Sequence, residues 1–274
     1  MQAATAALRL PFRDRTWRGQ AGSWLGTGSG SSIDFQDHRP YLPGDDPRHI
    51  DWQAYARTGN YTMKLYREEV SPAVDLALDV SASMFLNAAK GARTLELFYF
   101  CIESALRSGG MLHCYAVDGA KVRRLAVEQA LAGEDFLAAS EAGAPRVQQV
   151  PWRQGSLRVL ISDLLFPGSP TDVLGALGTA KGRGLIFAPR SVEESQPEWS
   201  GNLRLTDCET QRDRVQRVTP DLLARYAAAY ERHFALWREQ ARKHAVAVAR
   251  VESEREFRGA LHAEALPLGA VELS

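Results

Sequence analysis

From residue 74 onward the chain alternates short apolar runs with stretches of helical period. Residues 74–80 (VDLALDV) read as a short, largely apolar strand. Ala88, Ala92, Leu95, Tyr99, Ile102 and Leu106 follow at steps of four and three, which predicts a helix with these six on its apolar face. Gly109-Gly110 stops that helix. Residues 111–117 (MLHCYAV) and 157–162 (LRVLIS) predict two further strands, 125–140 helical material, and 185–188 and 245–251 two more strands. Thr219-Pro220 supplies an N-cap with proline at the first helical position, and Leu222, Tyr226, Tyr230, Phe234 and Trp237 then form a stripe expected in the core. Strands alternating with helices predict an α/β fold with a doubly wound, mainly parallel sheet. Sites on such sheets lie beyond the carboxyl ends of the strands, which directs attention to the residues after Leu78 and after Ile161.

The first quarter of the chain is different. Residues 26–32 (GTGSGSS) have the composition of a flexible connector and lack the lysine of a phosphate-binding loop. Residues 34–58 are dense in turn formers and charge, and 61–66 alternate like a strand. The expected division is a tail and linker over 1–33, an extension over 34–72, an α/β domain over 73–255 and a C-terminal tail over 256–274. The extension has too few apolar positions for a core of its own and is expected to pack on the domain.

Composition narrows the partners. Thirty-three Lys plus Arg balance 33 Asp plus Glu, so no overall charge favours nucleic acid. Cys101, Cys114 and Cys208 form no C-x-x-C pair, and His38, His49, His113, His233 and His244 show no metal-ligand spacing, so neither a disulfide framework nor a zinc site is written here. Arg9, Arg13, Asp14, Arg15 and Arg18 interrupt the N-terminal apolar patch where a signal peptide needs an unbroken run, and no run approaches the ~20 apolar residues of a membrane span. A cytoplasmic protein is expected.

Two strand-end loops carry the candidate chemistry: Asp79-x-Ser81-x-Ser83 and Ser162-Asp163. Every polar group in them is an oxygen donor, and hydroxyls with one or two carboxylates suit Mg²⁺ better than zinc. A purely structural role is equally compatible with the spacing, with Ser81 and Ser83 capping the next helix and Asp79 binding turn amides. Residues 37–57 hold acids, arginines and two histidines that could suggest acid–base chemistry. Gly44-Asp45-Asp46-Pro47 is turn chemistry, however, and Arg–carboxylate pairs commonly pin an irregular segment, so a structural staple is expected there.

Asp79 to Met84 at the end of one apolar strand, with Ser162-Asp163 at the end of another, resembles the metal-ion-dependent adhesion site (MIDAS) of von Willebrand factor type A domains. Upstream, Asp37, Arg39, Tyr41, Gly44, Asp45, Asp46, Arg48, Asp51, Trp52 and Arg57, followed by 64–69 (KLYREE), resemble the bacterial family catalogued as domain of unknown function 58. The resemblance runs from about Gly30 to the 245–251 strand. It implies a six-stranded type A-like core, a lineage often encoded beside MoxR-type AAA+ ATPases and no established catalytic activity. Carried over position by position, it implies that Asp79, Ser81, Ser83 and Asp163 hold Mg²⁺ at a rim that also binds a partner's carboxylate. The threonine of the type A pattern has no match: Thr94 falls inside the predicted helix, and Glu134 is the nearest loop-like substitute, so modest metal affinity is expected. The implied function is a non-enzymatic protein-interaction module, with a MoxR-type ATPase or its client as first partner. The alternatives are a metal-dependent phosphoryl hydrolase with Asp79 as nucleophile, which would need a second acid where Ser81 stands, and a scaffold whose metal site has decayed.

Overall fold

The apolar runs become strands of one sheet. In the computed structural model, which describes residues 7–12, 33–68, 72–132, 143–178 and 182–274, the strands in chain order are β1 (Leu8–Arg9), β2 (Ile33–Pro40), β3 (Thr62–Glu68), β4 (Ala73–Asp79), β5 (Met111–Asp118), β6 (Lys121–Leu125), β7 (Leu157–Ile161), β8 (Arg183–Arg190), β9 (Gly201–Thr206), β10 (Asp213–Val218), β11 (Val246–Glu252) and β12 (Glu272–Leu273). Six of them form the central sheet in the order β11-β8-β7-β4-β5-β6, parallel except for β6. This is the doubly wound α/β fold that the alternation predicts. Strand β4 pairs with β5 on one side and β7 on the other, so the order reverses at the β4–β7 junction, where open α/β sheets place their ligands.

Burial on both faces explains why β4 and β7 read as continuous apolar runs. Ala77, Leu160, Ile186 and Val248 face a cluster closed by Val173, Leu174, Tyr230, Phe234 and Trp237, from the helices Pro170–Gly178 and Pro220–Lys243. The opposite face of β4 is covered by the helix Ala88–Arg107. Thr219 caps the long helix through its side chain as expected, and Tyr230, Phe234 and Trp237 are core, while Tyr226 is 38% exposed.

Two expectations need correction. The helix Ala88–Arg107 has the predicted span, and Gly109 ends it at φ +64°, but its buried face is not the predicted stripe. Ala88, Ala92 and Leu106 are exposed, whereas Lys90, Arg93, Thr94, Leu97, Phe98 and Cys101 are buried. The helix is covered on more than one side: Leu10 N–H donates to Ser104 Oγ at 2.7 Å, and Phe257 packs edge-on against Phe100. Polar residues therefore enter positions that an apolar-stripe reading assigns to solvent. Of the helical material expected over 125–140, Leu125 is instead the last residue of the antiparallel edge strand β6, and the helix spans Val127–Ala132 within the described residues.

By compactness the chain divides into residues 14–71 and the remainder. Within the smaller unit, β2 and β3 form an antiparallel ribbon, with the helix Trp52–Thr58 between them. Asp51 caps this helix by accepting from Gln53 and Ala54 N–H, and lies 2.8 Å from His38 Nε2. Arg39 holds Asp45 with two parallel hydrogen bonds of 2.7 Å, and Asp46 accepts from both the side chain and the backbone of Arg48. Gly44 takes φ +103° in the turn between them. Tyr41 and Trp52 pack around Tyr61, and the Arg57 side chain closes onto Gln53 O. These contacts tie the segment to itself. The 26–32 connector, Glu134 and the side chain of Asp37 lie outside the described residues.

A candidate cation site at the switch point

The two predicted loops meet. Ser162 Oγ donates to Asp79 Oδ2 at 2.7 Å, joining the carboxyl ends of β7 and β4, and Ser81 N–H closes a turn onto Asp79 Oδ1 at 3.0 Å. The turn-amide role proposed for Asp79 is therefore real. The capping role proposed for the serines is not. Ser81 makes no side-chain cap, and Asn87 caps the helix Ala88–Arg107 through Lys90 N–H. Instead the Ser81 and Ser83 hydroxyls face each other at 3.2 Å, near the ~2.9 Å separation of adjacent oxygens around an octahedral Mg²⁺. Thr94 stays inside its helix, donating to Met84 O.

Asp163 turns sharply away from the sheet. The next residue, Leu164, adopts φ +60°, a left-handed conformation uncommon for a non-glycine residue, and is fully buried. With the chain so bent, Asp163 Oδ1 accepts from Leu165 N–H at 3.0 Å. Its other oxygen takes a charged partner that the apolar pattern conceals: Lys90 Nζ, fully buried, donates to Asp163 Oδ2 at 2.8 Å and also to Glu194. Glu194 is fixed in turn by a capping box with Ser191.

A second unforeseen residue arrives from the β9–β10 hairpin. Asp207 Oδ1 accepts from Glu209 and Thr210 N–H and shapes the tip, and Glu209 Oε1 accepts from Ser83 N–H at 2.8 Å. Glu209 Oε2 is shielded from solvent and has no hydrogen-bond partner among the described residues. Ser81, Ser83, Asp163, Glu194 and Glu209 border one cleft of about 760 Å³.

The electrostatics are unbalanced toward negative charge. Asp163 and Glu194 share the buried ammonium of Lys90, while Asp79 and Glu209 are held by hydroxyl and amide donors among the described residues. Burial, reinforced by the charge of Asp163, pushes the Asp79 carboxyl up to about 6, while hydrogen bonds from Ser162 and Ser81 pull it back in part. Burial alone would depress Lys90, but Asp163 and Glu194 outweigh it and raise its proton affinity. Among the described residues no group of three or more His, Cys, Asp or Glu is placed to hold a metal ion. A cation here would therefore depend on the serine hydroxyls as much as on the acids. The donor set fits a hard cation in three respects: it is all oxygen, it carries excess negative charge, and it includes a buried carboxylate oxygen that lacks a partner.

Comparison with known proteins gives a partial match. A family model described as protein of unknown function DUF58 matches residues 37–106, a stretch that runs from the stapled segment through Asp79, Ser81 and Ser83 into the following helix. No curated protein matches the chain. Among solved structures, the crystal structure of the conserved hypothetical protein BatB from Bacteroides thetaiotaomicron is 13% identical, with a TM-score of 0.39 over 72% of this chain and 98% of that one. An aerotolerance-related membrane protein from Bacteroides fragilis NCTC 9343, carrying multiple mutations to serines, is also 13% identical, with a TM-score of 0.34 over 71% and 98%. At such scores the strand order and the switch-point geometry carry the fold assignment unaided. Among the described residues no helix is long and apolar enough to cross a membrane.

Proposed function

We propose that this chain is a non-enzymatic protein-interaction module that binds a partner through Mg²⁺ held at the carboxyl ends of β4 and β7. Ser81 and Ser83 would hold the ion directly, and Asp79 and Asp163 directly or through water. The chemistry supplied by the bound ion is a charge-assisted seat for a carboxylate offered by another protein. The carrying observation is the convergence of the two loops at the switch point, with the Ser81 and Ser83 hydroxyls paired and not used as helix caps. The DUF58 match over 37–106 supports a MoxR-type AAA+ ATPase or its client as first partner, through the association that the family resemblance implies. Pull-down from native lysate with and without chelator tests this, alongside circular dichroism of Asp79→Ala. The expected result is a complex lost with chelator and in the variant while the fold persists. Equal recovery under all conditions would sink it.

One observation favours a second reading. Lys90 Nζ already neutralises Asp163, so the rim could be a scaffold whose internal ammonium has replaced the cation. In that case Mg²⁺ titration gives no heat, and recovery of the partner is indifferent to chelator.

A further inference from the structure

The missing threonine leaves the cation reading one donor short, and the β9–β10 hairpin brings a carboxylate to the same place. Glu209 is 126 residues from Ser83 in the chain, yet its Oε1 accepts from Ser83 N–H at 2.8 Å, and it lines the same cleft as Ser81 and Ser83. Three features distinguish this from an incidental surface contact. The hairpin tip is built to aim the side chain, since Asp207 fixes the Glu209 and Thr210 amides. One carboxylate oxygen is bound and so orients the group. The other, Oε2, is buried without a hydrogen-bond partner among the described residues, a costly state for an ionised oxygen that lacks a cation.

We infer that Glu209 is a ligand of the cation, supplying through Oε2 the donor that the type A pattern draws from threonine. This inference rests on the cation reading above and adds a residue to it. The Ser83 amide then has a role beyond the turn: by engaging Oε1 it holds Oε2 toward the Ser81–Ser83 hydroxyl pair, as an outer-shell hydrogen bond orients a ligand. A consequence concerns order. The tip would be tied to the rim more firmly with the ion than without it, because a bound ion gives the buried oxygen its missing partner.

The test is isothermal calorimetry of the full chain with MgCl₂ for wild type, Glu209→Gln, the exposed control Glu198→Gln, and Asp79→Asn. A parallel measurement follows amide hydrogen exchange at residues 83 and 207–211 with and without Mg²⁺. Glutamine preserves size and hydrogen bonding but removes the charge. The expected outcome is binding by wild type and Glu198→Gln, affinity lower by on the order of tenfold or more in Glu209→Gln and lowered in Asp79→Asn, and slower exchange at the tip on adding Mg²⁺ in wild type and Glu198→Gln but not in Glu209→Gln. Binding by wild type with unchanged affinity in Glu209→Gln overturns the inference and leaves the cation reading standing. No binding by wild type overturns both. Unchanged circular dichroism of Glu209→Gln excludes misfolding as the source of a weakened affinity.

Discussion

Two regions of this molecule are rich in aspartate, and they manage it in opposite ways. In the segment 38–59 each described acid has its own donors close by in sequence: Asp45 has Arg39 and Leu42 N–H, Asp46 has Arg48, and Asp51 has His38 and two helix amides. Asp45 and Asp46 are held below the ordinary carboxylate range by these hydrogen bonds, Asp46 to about 2. At the switch point Asp79 and Asp163 are buried, Asp163 shares the Lys90 ammonium with Glu194, and Asp79 moves the other way, to about 6. A carboxylate whose donors are local and sufficient is a staple. Buried carboxylates gathered from distant parts of the chain, with one oxygen left over, form a site that still has capacity for positive charge.

The largest effect that could break this contrast is at Lys90. Lys90→Met leaves Asp163 and Glu194 buried without their ammonium, and breaking a buried pair from one side costs about 3–5 kcal/mol. Chemical denaturation of metal-stripped protein measures it, and a loss under about 1 kcal/mol would mean that the acids are better solvated than their burial indicates.

Next in size is the pH dependence of metal-stripped protein. The folded-state value of Asp79 lies above its ordinary 3.8, so the native state binds the proton more tightly than the unfolded chain. Stability from this group is therefore present at low pH and is lost as pH rises from about 4 to about 6, by roughly 3 kcal/mol at most. Asp79→Asn should flatten that slope, measured as unfolding free energy across the window. An unchanged slope in the variant would assign it to another group.

The smallest effect sharpens the other side of the comparison. Asp45 and Asp46 are partly exposed and depressed, so their contribution is present above the ordinary range and is lost as pH falls below it, toward about 2 for Asp46. Amide exchange at Leu42 and Arg48, whose N–H groups donate to these acids, should accelerate over that descent, and Asp45→Asn should accelerate Leu42 already at neutral pH. Global unfolding at neutral pH should barely move in that variant, as befits a partly solvated pair.

The strand ends were readable because β4 and β7, buried on both faces, are apolar up to the point where Asp79 and Ser162-Asp163 break the run, and open α/β sheets put chemistry there. Lys90 was not readable, because a lysine three residues into an amphipathic helix is ordinarily solvent-facing, and only Asp163 and Glu194, 73 and 104 residues away, make its burial tolerable. Glu209 was missed with its hairpin. The alternation of Leu203 and Leu205, followed by the turn-forming 207–211, was the available signal for strands there, though nothing local ties Glu209 to Ser83. The staple of Arg39 and Asp45 was legible for the opposite reason: its partners are six residues apart.

The most direct test of the central claim is an anomalous-scattering map of crystals soaked in Mn²⁺, which stands in for Mg²⁺ and is visible by its own signal. One peak is expected, bonded to Ser81 Oγ and Ser83 Oγ, with Asp79 and Asp163 bound directly or through a single water. A map without a peak there, with Lys90 still seated on Asp163, would contradict it.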